Sequence, residues 1–307
     1  MKYKRKPRLG GIDNFFLSLM SLPGILLIIV FSYLPMYGLI IAFKNYSFDK
    51  GILGSPWSGW DNFDFFFSSQ DVRNVLRNTI LLNFGSILLS TVASIVLALL
   101  LYEVTRPLWI KIYQTTLFFP FFLSWVVVSF ASYAFLSENL GIINKLLENL
   151  GFETVGWYSD PKYWPYILIL ASVWKSVGYG TILYYSSLLS IDKEYFEAAE
   201  IDGASKLRTT WSISLPFLAP IITILTILSV GRIFYSDFGL YYFLPMQSGM
   251  LMPATDVIDT YAFRTLRVVG DIGMSSAVNF FQSVMGLAVI LFANLWARKI
   301  DKDSALF

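Results

Sequence analysis

Glu197-Ala198-Ala199 is followed at fixed intervals by Gly203, Ile213 and the pair Leu215-Pro216, with Asp202 just before the glycine. These residue types make no nucleophile, acid–base pair or metal cage; what they offer is mechanical. Two alanines let another surface approach the backbone closely, Glu197 supplies an ion-pair partner, and Gly203 permits a φ that other residues avoid. A fixed seven-residue pattern of this kind arises by chance in a chain of this size with odds on the order of one in a million. A second set of residues offers hydrogen-bond chemistry. Lys175, Tyr179, Asn83, Arg232, Asn279 and Gln282 interrupt otherwise apolar runs, where a polar side chain is costly and so is a candidate for lining a solute pathway. Amide, hydroxyl and charged groups suit a hydroxylated solute, and Lys175 and Arg232 also suit an acidic one. The competing use is bonding between packed helices, and Arg232 has a near neighbour for pairing in Asp237.

The elements that must position these residues are membrane helices. Of 307 residues 56% are hydrophobic and only 14% charged, too apolar a mixture for one soluble core. Stretches from about Leu17 to Phe43, Val75 to Leu101, Tyr113 to Phe135, Pro165 to Leu189, Ile213 to Tyr235 and Ala277 to Trp296 each have the length and composition of a span. In hydrocarbon they must be helical, which predicts an all-α protein with six transmembrane helices. The run from Phe15 onward is too long for a signal-peptide core and reads as an uncleaved first span. With neither cysteine nor histidine, disulfides, thiol chemistry, Cys/His metal sites and imidazole relays are excluded. No basic patch suits nucleic acid.

Six spans put both termini on one side. The tail with Lys2, Lys4, Arg5, Lys6 and Arg8, the turn with Arg106 and Lys111, the loop with Lys193, Lys206 and Arg208, and the end with Arg298, Lys299 and Lys302 share that face, which the positive-inside rule makes cytoplasmic. The opposite face carries longer loops at about 44–74, 136–164 and 236–276. In the last, Thr255 or Asp256 is placed to cap a helix through Ala262 and Leu266 that Gly270 and Gly273 end. One membrane domain, 1–307, accounts for the chain, with the loop 190–216 inside it. In that loop Asp192 is the expected N-cap of a helix Lys193 to Asp202, Gly203 turns the chain into a second short helix, and Leu215-Pro216 sets the start of the fifth span. Tyr195 and Phe196 read as apolar anchors for a partner. The 27 Phe, 18 Tyr and 9 Trp read mainly as interfacial belt and lipid-facing packing, Trp157, Tyr158, Tyr163 and Trp164 as belt, and Gly178 and Gly180 as close-packing positions.

The run Glu197-Ala198-Ala199-Glu200-Ile201-Asp202-Gly203-Ala204-Ser205, with Ile213 and Leu215-Pro216 beyond it, resembles the EAA loop of ABC-importer membrane subunits of the carbohydrate-uptake, maltose-type branch. Leu22-Pro23-Gly24, Pro35-Met36-Tyr37-Gly38, Ala42-Phe43-Lys44, and Gly51 with Ser55-Pro56-Trp57 add a narrower likeness to LplB-like polysaccharide permeases, and Asp192, where many maltose-type relatives have proline, fits that subgroup. The resemblance implies a type I importer (MetI-like) permease fold and a non-catalytic subunit in a bacterial cytoplasmic membrane. Its elbow would insert into a separate ATPase, with Glu197 facing a basic residue there. It also implies a second permease subunit, two ATPase subunits that bind ATP and Mg, and an extracellular solute-binding protein. The chain has no G-x-x-x-x-G-K-[ST] loop of its own to cradle nucleotide phosphates. Two alternatives stay open on the residues alone: an importer for another solute such as a peptide or amino acid, and a proton-coupled secondary transporter.

Overall fold

The computed structural model describes residues 11–300. The basic tail at 2–8 and Lys302 lie outside the described residues. All regular structure among them is helical, apart from a single bridge between Lys44 and Trp57. Five helices are long and apolar enough to cross a membrane: Phe15–Phe43, Gln70–Tyr102, Pro161–Leu188, Lys206–Gly231 and Ile272–Lys299. They are spans 1, 2, 4, 5 and 6 of the expected six.

The third expected span departs from the sequence reading. Tyr113 to Phe135 is not one helix but two, Pro107–Phe122 and Trp125–Leu136, bent by 97° at Leu123-Ser124. Hydropathy sees only a continuous apolar run, but Pro120 has no N–H to continue the ladder. Ser124 then starts the second piece, its hydroxyl accepting from the Val127 N–H.

Span 2 lies along span 4, and small residues set the spacing. Ser90 Oγ meets Ser176 Oγ at 3.0 Å, and Ser94 Oγ donates to the Val177 carbonyl at 3.1 Å. A Cβ on Gly180 would stand 2.4 Å from Ser94 Oγ, and one on Gly178 would stand 1.9 Å from the Leu117 carbonyl oxygen of the broken span. Both glycines therefore serve close packing, as the sequence suggested. Span 1, by contrast, is almost wholly exposed along its length.

Several local expectations shift. Trp164, assigned to the aromatic belt, is fully buried; its Nε1 donates to the Trp157 carbonyl, while Trp157 Nε1 donates to Asn144 Oδ1 at 2.9 Å. Tyr158 packs on Trp164, and burial pushes its phenol up to about 12, so it remains a neutral donor. This quartet is a packed corner, because the rings find one another and their N–H groups find carbonyls. The helix after span 5 starts at Ile258 rather than beside Thr255: Val257 is its N-cap residue, and Thr260 Oγ1 accepts the Val257 N–H while donating to Asp256 Oδ1. Asp256 instead takes Arg264 Nη2 at 2.5 Å. Gly270 (φ 79°) ends that helical stretch as expected, but Gly273 lies inside the first turn of the last helix.

Candidate functional site

The Glu197 segment forms a two-armed elbow between spans 4 and 5. Its first arm is the helix Lys193–Ile201, with Asp192 in the N-cap conformation although its carboxylate bonds no helix N–H. The arm closes on a Schellman turn: the Gly203 N–H donates to the Glu200 carbonyl at 3.0 Å and the Ala204 N–H to the Ala199 carbonyl at 2.9 Å, with Gly203 at φ 70°. Ser205 caps the second arm by accepting from the Arg208 N–H. The α-helix of span 5 begins at Leu215 with Pro216 in its first turn, as the sequence implied, but the chain is already helical before it. Helix is continuous from Lys206 to Gly231, and Pro216 is accommodated by a π-turn over Thr210–Ser214, which spares the bonds a proline cannot make.

The elbow is fastened at its base and open at its tip. Phe196 packs tilted against Tyr102 with ring centroids 5.5 Å apart, Tyr195 meets Phe217 at 5.2 Å, and Lys206 pairs with Glu103 at the end of span 2. Tyr195 and Phe196 thus hold the arm to its own chain; the free apolar group at the tip is Ile201, 87% exposed. Glu197 and Ala198 are exposed and Ala199 half so. A cleft of about 200 Å³ between the arms is lined by Ala199, Asp202, Ala204, Arg208, Thr209, Ser212 and Ile213. Small side chains and exposed acidic groups at a bend suit insertion into a complementary groove.

A second site lies among the spans. A cavity of about 680 Å³ opens between spans 2 and 4 and the end of span 5, lined by the side chains of Asn83, Ser86, Ser90, Thr91, Ser172, Ser176, Ser229, Arg232, Tyr235, Ser236 and Asp237, among others. That volume is in the range that takes a small ligand. Its dominant chemistry is hydroxyl. Ser86 and Ser90 stand four residues apart on span 2, as do Ser172 and Ser176 on span 4, a one-face helical spacing that could have revealed this lining from sequence.

Of the six polar residues singled out in sequence, two reach this cavity, Asn83 and Arg232. Asn83 Nδ2 donates to the Ile233 carbonyl at 2.7 Å and Ser236 Oγ at 3.0 Å, pinning the turn after span 5. Arg232 does not pair with Asp237. The Asp237 carboxylate caps the next helix through the Gly239 N–H at 3.1 Å and accepts Trp125 Nε1 at 2.6 Å.

The other four do different work. Lys175 Nζ donates to the carbonyls of Phe121 and Leu123, at 2.9 and 2.7 Å, and sits over the rings of Phe121 and Trp125. It caps the break in span 3, satisfying carbonyls that the bend leaves without intrahelical partners. Tyr179 stacks on Phe121 at 5.4 Å, on the same break. Asn279 Nδ2 bonds back to the Ser275 carbonyl. Gln282, buried, donates to the Phe234 carbonyl at 2.6 Å and Asp259 Oδ1 at 3.1 Å. Burial pushes the Asp259 carboxyl up, partly offset by the Ser236 N–H and the Gln282 amide. Replacing Lys175 with methionine, which keeps the length but not the donors, is expected to cost about 2 kcal/mol of stability. A detergent thermal-melt shift measures that loss.

Three comparisons bear on what this arrangement belongs to. The sequence profile described as "Binding-protein-dependent transport system inner membrane component" matches residues 72–303. Protein LplB of Bacillus subtilis is 36% identical over 94% of this chain and 90% of its own. The polygalacturonan/rhamnogalacturonan transport system permease protein YteP of the same organism is 34% identical over 98% of this chain and 94% of its own. Among solved structures, a bacterial ABC transporter involved in the import of the acidic polysaccharide alginate superposes with a TM-score of 0.86 at 31% identity, covering 94% of this chain and 97% of that one. The chain therefore belongs to the binding-protein-dependent transport system inner membrane components, the permease subunits of ABC importers.

Proposed function

We propose that this permease carries an oligosaccharide across a bacterial cytoplasmic membrane by alternating access, driven by ATP hydrolysed elsewhere. The carrying observation is the hydroxyl-lined cavity between spans 2, 4 and 5, joined by one continuous helix to an exposed elbow. Sugars present hydroxyls in several directions, and a lining rich in serine suits them. The sugars named for YteP and for the alginate importer support the same class.

In this reading the elbow, with Glu197, Ala198, Ala199, Asp202, Gly203, Ile213, Leu215 and Pro216, seats in one of two ATPase subunits that bind ATP and Mg. A second, similar permease subunit completes the pathway. An extracellular solute-binding protein delivers the sugar to the face opposite the elbow, as supported by the solved alginate transporter in complex with its pentasaccharide-bound periplasmic protein. The basic residues flanking the elbow support a cytoplasmic location for it and for both termini. The carboxylate in the cavity lining, Asp237, accepts from Trp125 Nε1 and the Gly239 N–H and so serves the local fold.

The test is uptake in proteoliposomes containing the assembled complex. Accumulation of a labelled oligosaccharide is expected to require internal ATP and the solute-binding protein and to survive a protonophore. Uptake that persists without ATP and collapses with the proton gradient would overturn the reading.

A further inference from the structure

The loop that joins spans 3 and 4, at the end of span 4 opposite the elbow, carries the helix Ile142–Asn149. This helix has three distinct sides. Ile143, Asn144 and Leu147 turn toward the rest of the chain, the two aliphatics half-buried and Asn144 only 2% exposed. The Asn144 amide is fully engaged there: Nδ2 donates to the Glu138 and Val155 carbonyls, and Oδ1 accepts from the Val155 N–H and Trp157 Nε1. Ile142 and Leu146, with Leu150 at the C-cap, make a second side that is 57%, 57% and 63% exposed. Lys145, Glu148 and Asn149 make a third, exposed and polar. At about 100° per residue, the two exposed sides point roughly 110° apart. A helix on the surface of a water-soluble protein turns its apolar stripe to the core. Here a polar side chain is locked inward and part of the stripe is left outside.

Three sides of different chemistry call for three media: protein, hydrocarbon and water. A helix lying in the headgroup region of a bilayer meets all three. The helix packs against Trp125–Leu136, the second half of the broken span, which itself exposes Val127, Phe130 and Phe135, so apolar surface reaches it from the membrane-crossing part of the chain. The exposed row is purely aliphatic, without the Trp, Tyr or Arg that anchor protein interfaces. A soluble partner arriving from the water would meet the Lys145 side first. We propose that the helix Ile142–Asn149 lies in the leaflet opposite the elbow, with Ile142, Leu146 and Leu150 in lipid at the acyl boundary and Lys145 in water, and so fixes the depth of the corner between spans 3 and 4. The inference holds whichever solute the permease carries.

The chain has no cysteine, so Leu146→Cys and Lys145→Cys each give it a single thiol for a nitroxide label. The experiment uses the assembled transporter in lipid nanodiscs, with partner subunits free of reactive cysteine. It compares collisions with oxygen, which concentrates in lipid, against collisions with a water-soluble nickel chelate. The oxygen-to-nickel ratio is expected to be on the order of tenfold higher for Leu146→Cys than for Lys145→Cys, and to stay the same when loaded solute-binding protein is added. Chelate-dominated collisions at both sites would put the row in water. Poor access of both reagents to Leu146→Cys would put it against another protein chain, and oxygen access lost only on adding the solute-binding protein would assign the face to that protein. Each of these three outcomes overturns the proposal.

Discussion

Replacing Gly203 with valine and Glu197 with alanine together is expected to abolish transport-coupled ATP hydrolysis while the complex still binds its loaded solute-binding protein. The two changes act on different parts of one joint. Gly203 sits at φ 70° and closes the Schellman turn that reverses the chain after Ile201. A β-branched residue in that conformation costs on the order of 1–2 kcal/mol or more, enough to unwind the last turn of the first arm and move Ala198 and Ala199. Nothing lies within 4 Å of the Gly203 Cβ direction, so the penalty is conformational and not a clash with the rest of the fold. Glu197 is exposed and bonded to nothing that its loss would orphan within the chain, so its removal tests the outward contact alone. A fall of at least about tenfold in substrate-stimulated ATPase, with assembly intact on size exclusion, is the expected result. Full transport in the double variant would sink the coupling role of the elbow.

The largest stability loss is expected from Gly178→Val. A Cβ there would stand 1.9 Å from the Leu117 carbonyl oxygen and 2.4 Å from its carbon, and these are backbone atoms of the first half of the broken span. They cannot rotate aside, so spans 3 and 4 must separate and loosen the Lys175 cap that lies one turn away. Overpacking of this kind costs about 3 kcal/mol or more, and it is expected to appear as a fall in melting temperature and in the yield of assembled transporter. Gly24→Ala is the control: nothing stands within 4 Å of its Cβ position in span 1, and alanine favours helix over glycine by about 1 kcal/mol. If the two variants melt alike, helix proximity at Gly178 is not what the glycine provides.

The elbow was largely legible in the sequence because its determinants are local. Gly203 and its flanking helices follow from residues within a few positions of one another, and the structure places the turn where the glycine stands. What sequence missed was set by partners distant in the chain. Lys175 looked like a pathway residue because nothing in its own neighbourhood shows that Phe121 and Leu123, more than fifty positions away, offer it carbonyls. Arg232 and Asp237 looked like a pair because they are five apart, but Asp237 turns to cap its own helix and to meet Trp125, 112 residues away. The bend in span 3 escaped a reading by hydropathy because kinking leaves apolarity unchanged; Pro120 was the available signal. The serine rows were visible as a four-residue spacing and were overlooked in favour of larger polar residues.

Because helix runs unbroken through the 26 residues from Lys206 to Gly231, the ion pair to Glu103 at one end and Arg232 at the other belong to a single rod about 39 Å long at about 1.5 Å per residue. Pivoting such a rod by roughly 5° about its Glu103 tether would sweep its far tip by roughly 3 Å, comparable to the length of a hydrogen bond. A small swing at the elbow end is thus amplified into a displacement of ångström size at the cavity end.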